Sequence, residues 1–154
     1  MPKKIKTKEM KSIAEIRKAV ATLANSINRK LKDLSAAFKR AWLIVKGKSV
    51  LSKVTGVTYN GIQKALSRLT KYNPQVVSVE LVREPKNQYD IYSVGVHVSV
   101  NRSTAYQIGY LPRDLAQCIS GVMDNEIKLT AAFKGITGGI QDKYYYGALI
   151  EIQF

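Results

Sequence analysis

Between Val94 and Val100 every second residue is valine, and the residues between them are Gly95, His97 and Ser99. Alternation of this kind throws successive side chains to opposite faces of an extended chain, so the segment reads as a strand with one buried face. Val77, Val79 and Leu81 alternate with Ser78, Glu80 and Val82 in the same way. A half-buried strand needs a sheet around it, and the neighbouring segments supply one. Residues 54–59, 106–111, 127–133 and 145–152 are all β-rich, with Gly138-Gly139 separating the last two. Two helices interrupt them. GIQKALSRL at 61–69 carries Ile62, Ala65, Leu66 and Leu69 at helical spacing, and Pro112 suits the first residue of a second helix bearing Leu115, Cys118, Ile119 and Val122. Lys71-Tyr72-Asn73-Pro74 is a stop, residues 83–90 form a polar loop around Pro85, and Asn101-Arg102-Ser103 turns the chain. Short, closely spaced strands of this sort predict a small barrel rather than a parallel sheet.

The charge sits elsewhere. The 154 residues carry 25 Lys and Arg against 11 Asp and Glu, net +14, and residues 1–53 hold fifteen of the cations and only three acids, Glu9, Glu15 and Asp33. All nine tyrosines follow Lys53. The chain therefore divides into a cationic arm, 1–53, and a tyrosine-rich body, 54–154. In the arm, Ile13, Ile16, Val20, Leu23, Ile27, Leu31, Leu34, Phe38, Trp42 and Val45 recur in steps of three and four, the stripe of an amphipathic helix. Lys18, Arg29, Lys32, Lys39 and Arg40 fall away from that stripe and make a basic side. Asp33 is a plausible N-cap that would divide the arm into two helices, and Gly47 ends the pattern. The stripe calls for cover by the body or by a second copy of the chain, a homodimer through the N-terminal helix. A cationic excess on this scale points to a polyanionic partner, because Lys and Arg release the counterions condensed on phosphates.

The residues VREPKNQYD at 82–90, a valine-rich strand, and then IGYLPRDLA at 108–116 resemble the HIRAN domain, and GVTYNG at 56–61 fits that family's first strand. The resemblance implies an α+β fold, a six-stranded barrel related to OB and SH3 barrels with two short helices, here preceded by the helical basic extension. It also implies a groove that grips the 3′ end of single-stranded DNA. Tyr59 matches an aromatic that stacks on a terminal base, Asn87, Tyr89 and Asp90 match the loop around the terminal sugar and its hydroxyl, and Tyr110 and Arg113 match positions lining the same groove. Gln88 stands where the family usually has Pro, Ile91-Tyr92-Ser93 replaces a Pro-Asn-Ala-like stretch, and Thr58 stands where some members have Arg.

Each of these residues also has a purely structural reading. Tyr89 with Asp90 would be a loop aromatic packed on the barrel with an Asx-type turn beside it, and Tyr110 with Arg113 a strand end and a helix start. Arg83 and Glu84 read as a structural pair. His97 lies on one face of a strand with no second His, and the lone Cys118 falls on the apolar side of a helix, so no metal site is expected. No phosphate-cradling glycine loop is present, because neither Gly135 nor Gly138-Gly139 is followed by Lys-Ser/Thr, and the carboxylates are scattered, so no enzyme and no cofactor are expected. A single Cys favours a reducing compartment, the basic start is followed by no apolar signal region, and no segment approaches a membrane span; a cytoplasmic protein of a bacterial host cell is the expectation. The function predicted is a module binding single-stranded DNA or DNA 3′ ends, with RNA a further candidate and the arm adding sequence-independent phosphate contacts. The alternative is a phage-encoded, anti-CRISPR-like inhibitor that binds a host defence nuclease or its guide RNA.

Overall fold

The computed structural model describes residues 18, 21, 22, 24, 25 and 46, and residues 49–126, 128–140 and 143–153. Lys18, Ala21, Thr22, Ala24 and Asn25 are helical, Lys18 is exposed and Ala24 is buried. Arg29, Lys32, Asp33, Lys39, Arg40, Trp42 and the named apolar positions of the arm lie outside the described residues.

Six strands and two helices follow in the order β1 Ser49–Lys53, α1 Asn60–Leu69, β2 Val77–Arg83, β3 Val94–Val100, β4 Tyr106–Tyr110, α2 Arg113–Asp124, β5 Thr130–Ile140 and β6 Lys143–Gln153. A single turn of 3₁₀ helix, Pro74–Val76, leads into β2, with the Gln75 amide capped by the Asn73 side chain. The strands form one antiparallel sheet in the order β1-β6-β5-β2-β3-β4. β2 pairs with β3 along its whole length, whereas it meets β5 only at Ser78 and Val79. The sheet curls until its two ends meet. Thr55, just beyond β1, exchanges both backbone hydrogen bonds with Tyr110 of β4, at 2.8 and 2.9 Å, and the Val54 amide still donates to Ala148 of β6.

The core is the inner face of this curl. Val94, Val96 and Val98 of β3, Ile108 of β4 and Ile150 and Ile152 of β6 meet Leu66 and Leu69 of α1 and Ala116 and Ile119 of α2. The alternation that predicts β2 and β3 and the helical spacing that predicts α1 are thus used as read. Among the described residues no helix is long and apolar enough to cross a membrane.

Three local expectations are corrected. The strand expected at 54–59 lies earlier, at Ser49–Lys53, so the sheet takes in residues read as part of the arm. Gly56, with φ +72, and the turn that follows break extended structure before Tyr59. Pro112 is the cap of α2 rather than its first residue, with an extended backbone at φ −52, ψ 143. Gly138-Gly139 does not separate two strands. It lies inside β5, both residues at positive φ, where the pairing with β6 shifts register.

The β3–β4 hairpin closes on Asn101 and Arg102, with φ +50 and +60, and the Ser103 amide donates back to Val100 at 2.9 Å. Left-handed backbone at both central residues is the geometry that favours Asn-Gly, so Arg102 occupies a glycine position. A left-handed L-residue costs about 1–2 kcal/mol, partly offset in a glycine variant by the larger entropy of its unfolded chain. Arg102→Gly is therefore expected to stabilise the fold by about 0.5–1 kcal/mol. Urea denaturation should show a higher midpoint with an unchanged m-value; an equal or lower midpoint would mean that the Arg102 side chain makes up the difference through contacts of its own.

Candidate functional site

Tyr59 stands at the N-cap of α1, its backbone extended, its side chain making no capping bond and 73% exposed. The turn that presents it is locked from behind by Gln63. Its Nε2 donates to the carbonyls of Val57 (2.6 Å) and Tyr146 (2.9 Å), while its Oε1 accepts the Tyr146 amide at 2.8 Å. One side chain thus pins the start of α1 to β6. Beside Tyr59 lies a cleft of about 280 Å³ lined by Gly56, Tyr59, Ile62, Gln107, Gly109 and Tyr110. Gly109 forms part of its wall because β4 passes so close to the chain after β1 that a methyl group would strike the Thr55 carbonyl and come within 2.7 Å of Val54 Cγ1.

The 84–93 loop joins the cleft through Glu84, whose carboxylate accepts from the hydroxyl of the cleft-lining Tyr110. Its ends are tied by the Glu84 amide on the Ser93 carbonyl, 3.1 Å. Asn87 Oδ1 accepts the amides of Tyr89 (2.9 Å) and Asp90 (3.3 Å), and its Nδ2 donates to Glu84 Oε2 at 2.9 Å. Asp90 Oδ1 accepts the Tyr92 amide at 2.8 Å, and its Oδ2 faces Arg113 Nε at 3.9 Å. The Asx-type turns expected of these residues are present, and Asn87 is engaged within the loop through both ends of its carboxamide. Tyr89 is not packed on the barrel as its structural reading expects but projects, 94% exposed, and the Arg113 side chain, at the first position of α2, is 79% exposed.

Arg83 and Glu84 do not pair with each other. Neighbouring residues of an extended chain point to opposite faces. Arg83 reaches Asp124 of α2 (Nε to Oδ1, 3.1 Å) and the Ile91 carbonyl (2.6 Å) and so clamps the loop from outside. Glu84 turns toward the cleft, where Oε2 accepts from Asn87 and, at 3.3 Å, from the Tyr110 hydroxyl. A side chain on Gly95 would lie 3.0 Å from Glu84 Oε1, 3.1 Å from Gln107 Nε2 and 3.4 Å from His97 Nε2, so that glycine leaves the space in which these polar groups converge. His97 is half-buried there, and among the described residues no group of three or more His, Cys, Asp or Glu could hold a metal ion.

Five of the six body residues named from the sequence are linked in one series, and the sixth, Tyr89, joins it only through its backbone amide on Asn87. Tyr59 and Tyr110 share the cleft, Tyr110 reaches Asn87 through Glu84, Asn87 holds Asp90, and Asp90 faces Arg113. Of the five arm cations, Lys18 alone is described, exposed and helical. The sequence reading missed Gln63, whose partner Tyr146 lies far along the chain, and gave Glu84 the wrong partner. It could have placed Glu84 correctly from the alternation of faces alone.

A scan against family models matches residues 48–149 to the HIRAN domain. Among solved structures, the HIRAN domain of human HLTF is similar at 21% identity and a TM-score of 0.42, covering 69% of this chain and 74% of that one. A protein from Lactobacillus plantarum is similar at 22% identity and a TM-score of 0.40, covering 69% of this chain and 97% of that one. No curated protein matches.

Proposed function

The chain belongs to the HIRAN domain family, and from that premise we propose that it binds single-stranded DNA by its 3′ end, in the cleft between Tyr59, Tyr110 and the 84–93 loop. The observation that carries this reading is the placement of Tyr59. A large aromatic held by a locked turn, exposed and aimed beside a cleft, is a stacking surface for any base. The neighbouring groups suit the rest of a terminal nucleotide. The Asp90 carboxylate can accept a hydrogen bond from a sugar hydroxyl, and the exposed guanidinium of Arg113 can meet a phosphate. The fifteen cations among residues 1–53 supply sequence-independent attraction for the remainder of the strand.

Asp90 makes the proposal testable at one atom. A carboxylate accepts from a free 3′-hydroxyl and repels a 3′-phosphate, and a hydrogen bond to a charged group contributes about 1.5–3 kcal/mol. The wild type is therefore expected to prefer a 3′-hydroxyl oligonucleotide over its 3′-phosphate counterpart by about tenfold or more. Asp90→Asn keeps an acceptor for the Tyr92 amide and should bring the two affinities together. Fluorescence anisotropy on both oligonucleotides decides it, and a wild type that binds the two ends equally defeats the 3′-end assignment.

A further inference from the structure

No Asp or Glu stands between Asp33 and Glu80, and α1 lies in the middle of that gap. Its cations, Lys64 and Arg68, are four residues apart and share the outward face opposite buried Leu66 and Leu69, and Lys71 follows in the turn just past the C-cap Thr70. Along the axis Lys64 and Arg68 are separated by about 6 Å at 1.5 Å per residue, a spacing that successive phosphates of an extended strand can match. All three are exposed, and among the described residues none has an ion-pair partner.

The stripe begins and ends on aromatic residues. Tyr59 precedes α1, and Ile62 of its first turn lines the cleft with Gly109 and Tyr110. Just past the other end stands Tyr72, and β4, which packs against α1, begins at Tyr106. Burial holds the Tyr106 hydroxyl above its ordinary pKa, Tyr72 raises it further, and Arg68 pulls it down. Tyr72 and Tyr106 both keep part of their rings in solvent. α1 therefore runs alongside β4 from Tyr110 back to Tyr106, and its basic face leads away from the cleft.

We infer that the Lys64 and Arg68 face of α1, continued by Lys71 in the turn after it, is a phosphate track that carries the strand 5′ of the terminal nucleotide, ending at Tyr72 and Tyr106 as a second stacking place. The inference rests on the proposed occupancy of the cleft by a 3′ end. It gives the strand a direction across the surface and makes affinity grow with length beyond the terminal nucleotides.

The test compares the full chain with Lys64→Gln/Arg68→Gln and with a charge-matched control, Lys128→Gln/Lys134→Gln. Gln is a good helix former, so α1 is retained, and circular dichroism checks it. The probes are a dinucleotide and an octanucleotide, both with free 3′-hydroxyls, at several salt concentrations. The α1 variant should bind the dinucleotide as the wild type does but lose the gain on lengthening. Its octanucleotide salt slope should fall by about 1.4, at about 0.7 per phosphate contact on single strands. The control should keep both. An α1 variant with the wild-type octanucleotide affinity and slope overturns the track, as does an equal loss in the control. If no protein binds the dinucleotide while the α1 variant alone loses octanucleotide affinity, the track stands and the cleft reading fails.

Discussion

Replacing Tyr59 by alanine is expected to weaken binding of every single-stranded oligonucleotide by between about fivefold and 150-fold, the range for losing one stacked base. The effect should be uniform across sequences because each base offers a similar π-face to the ring. It should also leave the fold intact. The Tyr59 side chain is largely exposed, caps no amide of α1 and is not part of the core, and the turn that carries it is held by Gln63 rather than by the ring. Its stability cost should stay within about 0.5 kcal/mol, as for surface positions without special contacts. Anisotropy titrations of three unrelated sequences, with a thermal melt of the same sample, measure both. A folded Tyr59→Ala protein with wild-type affinity removes the cleft from the binding surface and leaves the basic faces to account for it.

A large loss of stability is expected at Gly109. An alanine there would drive its methyl group into the Thr55 carbonyl and against Val54, at φ +154. These are backbone and core atoms of the segment that closes the sheet through Thr55 and Tyr110, so no flexible side chain can yield. Overpacking of this kind costs about 3 kcal/mol, which for a chain of this length is a fall in Tm of about 6–12 °C. Gly61→Ala is the contrast. A methyl group at Gly61 meets nothing within 4 Å, and a Gly-to-Ala change at a compatible backbone position stabilises by about 0.4–1 kcal/mol through the lower entropy of the unfolded chain. Urea denaturation of the two variants should move the midpoints in opposite directions. A Gly109→Ala midpoint at the wild-type value would show that the sheet does not depend on this closure. Because Gly109 also lines the cleft, opening the seam should carry away oligonucleotide binding with it.

The two substitutions separate what the cleft presents from what holds it open. Tyr59 is a group on the rim, removable without disturbing its support. Gly109 is the absence of a group, which lets two segments approach closely enough to form the wall. The IGY residues at 108–110 accordingly have three different jobs: Ile108 fills the core, Gly109 permits closure, and Tyr110 donates to Glu84 at the cleft.

What could be read from the sequence is what repeats locally. The valine alternation of β3, the Val77, Val79 and Leu81 of β2, and the Ile62, Ala65, Leu66 and Leu69 of α1 report which face of each element is buried, because burial acts on side chains at the period of the backbone. The two linked motifs at 82–90 and 108–116 likewise marked the strand end that lines the cleft and the loop joined to it through Glu84 and Tyr110. Tertiary structure decided the partners. Thr55 meets Tyr110 across 55 residues and Gln63 meets Tyr146 across 83, and neither contact leaves a periodic trace. It also decided where β1 lies, since five residues of strand are defined by pairing with β6 more than by their own pattern. Glu84 shows the division most clearly. Its place beside Arg83 suggests an ion pair, yet the extended backbone sends the two side chains to opposite faces. The fold then supplies Asp124 to one and Asn87 and Tyr110 to the other, because a hydrogen bond is chosen by position in space and not by distance along the chain.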